Sequence, residues 1–427
     1  MESEKEFDLV LVGPTGYTGR LCAEHIVKNL PTNLKWALAG RSVQKIEVIA
    51  KELKTLNPDR AAPALTHPQR FWLYSSIGKN WNPSSRGLKS SSIALAHTTF
   101  TALLLLKHVL IMELIMWTPL RNPLGSTGET PWIREIIEKY HDVAKSNGAI
   151  IIPSVGVESA PADILAWSVV KRVREDLSSD TKEVIGAIEE MKSSGPSGGT
   201  LNTVLTIFDS LSFSDILKST DPFALAASAP PKNVPSEPLV DKILGVRSVR
   251  DLGTLTTSPS AMADITIVHR SSTLMPEFYG PLFYFRQFVK VRNALVGIIF
   301  HYAFIIGLCL LTLPPVRALV RQFVYAAGQG PRKEDSVNDR VEYRAVATAD
   351  QKTAAPQRVF GKFKYEGSMY ALTGLLLAEA AMVILEETER VKKVSRCGIV
   401  TPATLGQPFV DRLEKVGCHL ETQVFDY

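Results

Sequence analysis

The chain has 427 residues, 45% of them hydrophobic, and a net charge of +5 dispersed along its length. That leaves room for two domains with ample core, and the charge is too small and too scattered to suggest a nucleic-acid partner. Its four cysteines (Cys22, Cys309, Cys397, Cys418) show neither metal spacing nor a disulfide framework, which suits a reducing compartment, and the acidic, polar start that runs straight into a strand carries no signal-peptide pattern.

Leu9 to Val12 reads as a buried parallel strand that breaks at Gly13. The run Gly13-Pro-Thr15-Gly16-Tyr17-Thr18-Gly19 follows G-x-x-G-x-x-G, a variant of the dinucleotide fingerprint. Gly13 is expected to permit the tight turn, Gly16 to let a pyrophosphate approach the backbone, and Gly19 to let the next helix pack close to the strand. A helix from Arg20 to Leu30 would aim its N-terminal N–H groups at that pyrophosphate, with Thr15, Tyr17 and Thr18 completing the candidate contacts. The bland alternative is a glycine-rich structural turn. The next strand, Lys35 to Ala39, ends in Gly40-Arg41-Ser42, and no acid follows until Glu47. An acidic residue here would suit the ribose of NAD, whereas Arg41 with Ser42 suits the 2′-phosphate of NADP, so NADP is the expected cofactor unless Arg41 merely closes a strand.

A helix runs on to about Leu56. From Ala61 to about Thr127 the character changes: the stretch is serine-rich, Glu113 is the only acid between Asp59 and Glu129, and a leucine run spans Leu103 to Leu106. Two βα units belong here in a doubly wound domain, yet no such periodicity is visible. Order returns at Gly128. Trp132 to Asn147 has helical spacing closed by Gly148, and Ala149 to Val155 reads as another buried strand. Gly156-Val-Glu158-Ser159-Ala-Pro-Ala-Asp163 follows at that strand's carboxyl end, where open α/β sheets bind ligand. Gly156, Glu158 and Ser159 are therefore candidate ligand contacts. Helix capping is the competing role for Ser159 and Asp163.

A helix is expected from Asp163 to Leu177, a strand from Glu183 to Met191, and a Ser/Gly turn (Gly195 to Thr200) feeding a helix from Leu201 to Leu211. Asp221 to Pro238 reads as a surface loop. Ala294 to Leu313 has no formal charge and is flanked by Lys290, Arg292, Arg317 and Arg321. It is long enough to cross a hydrocarbon core, and the flanking bases and Pro314-Pro315 also fit an interfacial anchor; a buried core helix is the soluble alternative. Gln329 to Pro356 reads as an exposed polar stretch, followed by a strand near Lys362 to Glu366 and a helix from Ala371 to Glu387. The eight histidines form no metal constellation with acids.

The chain resembles the saccharopine dehydrogenase-like oxidoreductases, the family that includes the trans-acting enoyl reductases. The resemblance rests on GPTGYTG and AGRS, on the stretch from Gly128 to Trp167, on SGPSGGT (Ser194 to Thr200), on RSSTLMPEFYGPLFYFRQF (Arg270 to Phe288), and on LLLAEAAM and CGIVTPATLG near the C-terminus. It implies an α/β fold: an N-terminal Rossmann-type doubly wound parallel sheet over 1–165, and an α+β substrate domain over 166–427 carrying the apolar, membrane-associated segment 294–313. It further implies an NADP-dependent reductase acting on a C=C bond of a hydrophobic polyketide, fatty-acyl or terpenoid substrate, with a polyketide synthase as a possible partner and attachment to the cytoplasmic face of the endoplasmic reticulum or a lipid droplet. Reduction of an imine or carbonyl, and a non-catalytic Rossmann protein at a lipid surface, are the alternatives. In the family the aromatic stretch holding Tyr279 lies near the cleft, making Tyr279 a candidate proton donor; an aromatic packing cluster is its competing role.

The resemblance also interprets the anomalous stretch. The family has an N-x-V-G-P-Y strand, a helix and a T-H-Y-x-D strand there. Ser92 to Thr118, SIALAHTTFTALLLLKHVLIMELIMWT, can be encoded so that the neighbouring frame reads INCVGPYHFYGTPVVEACANNGTHYVD, every position being compatible with the codon table. Residues from about 62 to 127 are thus expected to be an out-of-frame translation, and the chain as written is expected to lack two strands of its nucleotide domain. A divergent insertion with an apolar helix is the alternative.

Overall fold

The computed structural model describes residues 7–66, the backbone of 93–96, 114–117, 126–129 and 395, and residues 130–195, 220–231, 235, 237–322, 329–394 and 397–425. All of the expected Ser/Gly turn beyond Gly195, and the helix expected from Leu201 to Leu211, lie outside these residues, as does the remainder of the anomalous stretch.

The first half alternates strands and helices: β1 (Leu9–Val12), α1 (Tyr17–Asn29), β2 (Trp36–Ala39), α2 (Val43–Leu56), β3 (Ala64–Thr66), β4 (Ile93–Ala96), β5 (Leu114–Trp117), α3 (Ser126–Ser146), β6 (Ile150–Ile152) and α4 (Ala160–Leu177). The strands form one parallel sheet ordered β3-β2-β1-β4-β5-β6, with β13 (Gly398–Ile399) added beside β6. This is the doubly wound order, whose topological switch point lies between β1 and β4. The expectation of two missing strands is corrected. Ile93-Ala-Leu-Ala96 and Leu114-Ile-Met-Trp117 occupy both places, because a strand flanked by parallel neighbours demands apolar residues rather than alternation. They fall on the residues whose codons can be chosen so that the neighbouring frame reads N-C-V-G and T-H-Y-V.

The second half is a mixed sheet beneath helices. In chain order it contains β7 (Thr181–Lys192), α5 (Leu239–Leu244), β8 (Val246–Val249), β9 (Gly253–Thr257), α6 (Ala261–Leu274), α7 (Pro276–Tyr279), β10 (Tyr284–Lys290), α8 (Ala294–Leu311) and α9 (Pro314–Arg321). It continues with β11 (Arg340–Ala349), β12 (Arg358–Glu366), α10 (Met369–Glu386), α11 (Thr388–Ser395), α12 (Gln407–Lys415) and β14 (Cys418–Val424). The strand order is β14-β12-β11-β7-β10-β9-β8. Strand β11 corrects the expectation of an exposed polar stretch: Val341, Tyr343, Ala345 and Ala347 alternate inward and are buried at the middle of this sheet.

Helix α4 is buried from Ala160 through Val170 because it packs on β11, β12 and α6. Helix α10 lies along α1, and a Cβ on Gly374 would stand 2.8 Å from the Cys22 backbone nitrogen, so the two helices touch backbone to backbone. The late chain thus returns to the first sheet through α10 and β13, beyond the boundary expected at residue 165.

Two helices are long and apolar enough to cross a membrane, and they differ in burial: 78% of α10 is buried, against 11% of α8. Helix α10 is a core helix. Helix α8 is not. It rests on the second sheet through Gly297, held by hydrogen bonds between Thr257 Oγ1 and His301 Nδ1 (2.7 Å) and from the Tyr302 hydroxyl to the Ile243 carbonyl (2.9 Å). Leu295, Ile299 and Ile306 face outward, as do Leu239, Val240 and Ile243 of the adjoining α5.

Candidate functional site

The glycine turn is built as its spacing demands. Gly13 has φ +79°, a conformation that side chains disfavour, and its carbonyl accepts the Gly16 N–H at 3.1 Å. A Cβ on Gly19 would strike the Gly13 carbonyl oxygen, so only glycine lets α1 begin this close to β1. Gly16 is the N-cap of α1; no side chain caps this first turn and no acid lies in it. Its unsatisfied N–H groups and the positive end of the helix dipole form an anion cradle at the switch point. Those features fit the pyrophosphate of a dinucleotide.

Around the cradle, Thr15 is exposed, Thr18 is buried and Arg41 is exposed at the end of β2. Ser42 caps α2, its hydroxyl oxygen accepting the Lys45 N–H at 3.4 Å. Tyr17 is placed differently from a simple ligand contact. Its hydroxyl donates to the Pro331 carbonyl at 2.7 Å and its ring meets Tyr370 edge-on at 5.1 Å, so it joins the glycine turn to the second half of the chain.

The second candidate segment is the loop after β6, on the same edge of the parallel sheet. Ser154 there adopts φ +64°, a rare backbone conformation for serine and a mark of imposed geometry. Two contacts pin the loop: the Val157 N–H donates to Thr373 Oγ1 at 3.3 Å, and the Tyr343 hydroxyl donates to the Val157 carbonyl at 3.1 Å. Gly156 and Glu158 are half-buried, and burial pushes the Glu158 carboxyl up. Ser159 occupies the N-cap position of α4 but makes no capping hydrogen bond with its side chain. Asp163, the other residue for which capping competed, turns away from α4: its carboxylate accepts from Ser271 Oγ and from the Ala403 N–H.

Tyr279 departs from the proton-donor expectation. It is fully buried, edge-on to Phe278 at 5.3 Å and to Phe283 at 4.7 Å, and its hydroxyl has no hydrogen-bond partner among the described residues. Burial first, and Asp163 second, push its phenol well up. This is the aromatic packing role.

Two buried polar groups escaped sequence reasoning. Asp264, on the first turn of α6, is completely buried; Oδ2 accepts from Ser260 Oγ at 2.9 Å and Oδ1 has no partner among the described residues. Burial, with the nearby Glu158 and Asp163 carboxyls adding to it, raises its pKa well above the usual range. Arg270 is equally buried and structural: it donates to the carbonyls of Leu225 (2.6 Å) and Ile399, fastening β13. Asp264 carries no sequence signal, since it stands alone among apolar and small residues. No cluster of potential metal ligands occurs among the described residues.

No protein-family model matches the chain. It is, however, homologous over its full length to proteins named trans-acting enoyl reductase. One from Mycobacterium ulcerans is 25% identical, covering 97% of each chain, and one from Mycobacterium tuberculosis is 24% identical, covering 98% of each. Among solved structures, the apo saccharopine dehydrogenase (L-Glu forming) of Saccharomyces cerevisiae shares the fold at 11% identity, with a TM-score of 0.50 over 98% of this chain and 100% of that one.

Proposed function

We propose that this chain, a full-length relative of the trans-acting enoyl reductases, is an NADP(H)-dependent oxidoreductase that reduces a C=C bond of a hydrophobic polyketide, fatty-acyl or terpenoid substrate. The observation that carries the reading is the uncapped glycine turn at the sheet's switch point. Arg41, with no acid before Glu47, favours the phosphorylated dinucleotide. The first-turn N–H groups of α1 would hold the pyrophosphate, and the bound nicotinamide would supply the hydride.

The chain's own contribution is a proton. Reduction of a C=C bond conjugated to a carbonyl leaves the α-carbon needing one after the β-carbon has gained hydride. Glu158 is the acid for this step: it stands in the loop between β6 and α4, and burial favours its protonated form. The outward apolar face of α8 and α5 fits attachment to a membrane or lipid-droplet surface, from which a hydrophobic acyl chain would be drawn. A polyketide synthase is the corresponding protein partner.

The test pairs NADPH titration with turnover of an α,β-unsaturated acyl thioester. Glu158→Gln should bind NADPH as the wild type does and lose on the order of 100-fold or more in turnover. Unchanged turnover would remove Glu158 from the chemistry. A wild-type chain that bound no NADPH would end the reductase reading.

A further inference from the structure

A cleft of about 480 Å³ opens beside the glycine turn, between α1, α2 and the segment Gly330 to Lys333 that follows α9. Thr15 and Gly16 line it together with Arg20, Lys45, Arg332 and Lys333. Two of these four cations are neutralised. Arg20 pairs with Glu52 at 2.6 Å and with Glu24 at 3.6 Å, while Lys333 pairs with Glu24 at 2.7 Å. Lys45 and Arg332 have no carboxylate within ion-pair distance among the described residues, so the cleft keeps two uncompensated positive charges.

The strap carrying Arg332 is held by two sequence choices. Tyr17 donates its hydroxyl to the Pro331 carbonyl, and a Cβ on Gly330 would come within 2.9 Å of the Tyr17 ring. Glycine at 330 therefore lets the strap lie flat on the tyrosine, which brings Arg332 to the cleft's edge. Lys45 arrives independently, on the first turn of α2 directly after Arg41 and Ser42.

We propose that this cleft receives the 2′-phosphate of the dinucleotide, that Lys45 and Arg332 select it, and that the second half of the chain thereby completes the nucleotide site. The inference rests on the dinucleotide reading above and adds to it. Arg41 alone closes one strand, whereas a phosphate between cations from α2 and the strap is held from two independent elements. Charge-assisted hydrogen bonds of this kind are the strong ones, and they are absent when the ribose carries only a hydroxyl.

The experiment is calorimetric titration of the purified full chain with NADPH, NADH, adenosine 2′,5′-bisphosphate and 5′-AMP. Wild type should prefer the 2′-phosphorylated member of each pair. Lys45→Gln and Arg332→Gln should each weaken NADPH and the bisphosphate by about tenfold, one charge-assisted hydrogen bond's worth, and leave NADH and AMP unchanged. Both residues are exposed, so folding is not at risk, and unaltered melting would confirm it. Equal binding of NADPH and NADH by the wild type, or wild-type NADPH affinity in both variants, would overturn the proposal while leaving a dehydrogenase. Binding of no nucleotide at all would overturn it together with the dinucleotide reading.

Discussion

The carboxylate of Asp163 accepts the backbone N–H of Ala403 at 2.8 Å, across 240 residues of chain. Its other oxygen accepts the Ser271 hydroxyl, so a single side chain joins the first turn of α4, helix α6 and the turn that follows β13. Burial pushes this carboxyl up to about 7, against opposing hydrogen bonds from Ser271, the Ala403 N–H and Thr401. The folded state therefore holds a proton that the unfolded chain releases near pH 4. The stabilisation is fully present below about pH 4, and it declines as pH rises toward about 7.

Thermal unfolding of Asp163→Asn should show a flatter dependence on pH than the wild type between about pH 4 and pH 8. The change in the difference should be on the order of 4 kcal/mol. Parallel profiles would show that Asp163 is ionised throughout.

Gly19→Ala tests the cradle. The added Cβ would strike the Gly13 carbonyl oxygen and lie 3.3 Å from the Pro14 Cα, and backbone cannot swing aside as a flexible side chain can. Dinucleotide affinity should fall by at least about tenfold, since overpacking here costs roughly 1–3 kcal/mol at the binding turn itself. Gly148→Ala is the control: φ there is +69°, yet nothing lies within 4 Å of the new Cβ. It should cost about 1 kcal/mol of stability and leave binding intact. Equal nucleotide affinities in the two variants would refute a specific role for the turn.

What was legible in the sequence follows from how local each constraint is. Gly13 and Gly19 announce themselves because a positive φ and a close backbone approach leave no other residue. Tyr279 did not, because an aromatic-rich stretch reads alike as pocket or core until the contacts of Phe278 and Phe283 are known. Strand β11 was obscured by the charges interleaved in Arg-Val-Glu-Tyr-Arg, although its inward residues keep a period of two. Asp264 and the placing of Lys45 and Arg332 on one cleft were beyond reach, since tertiary structure alone brings their surroundings together.

The outward face of α8 predicts lipid attachment. Its 18 residues span about 27 Å, close to the thickness of a hydrocarbon core, but its contacts with β8 and β9 and the Tyr302 hydrogen bond to α5 hold one side on the protein. Shallow insertion in the plane of an interface suits such a helix better than a free span. Leu295, Ile299 and Ile306 are 67%, 61% and 57% exposed, so replacing all three with Glu should leave the fold unharmed. In flotation with anionic vesicles the wild type should rise with the lipid and the triple variant should stay behind. If both float alike, the helix has another purpose.

The neighbouring reading frame makes the last prediction. Ala94 pairs with Val10 and Ile115, and Ala96 with Val12 and Trp117, so β4 lies at the centre of the parallel sheet with its carboxyl end at the switch point. A family-like N-C-V-G strand leading into Pro-Tyr would begin on these residues. The apolar Ile-Ala-Leu-Ala satisfies the sheet, but it carries His97-Thr98 in place of the Pro-Tyr turn. Sequencing the mature transcript across the codons for Asp59 to Glu129 should reveal the frame that encodes N-C-V-G-P-Y and T-H-Y-V-D. A chain restored to that frame should bind NADPH more tightly than the chain as written, because the turn at the carboxyl end of β4, beside the switch point, would be restored. A transcript that encodes Ile93 to Trp117 as written would refute the frame reading and leave those two apolar tetrapeptides as the native strands.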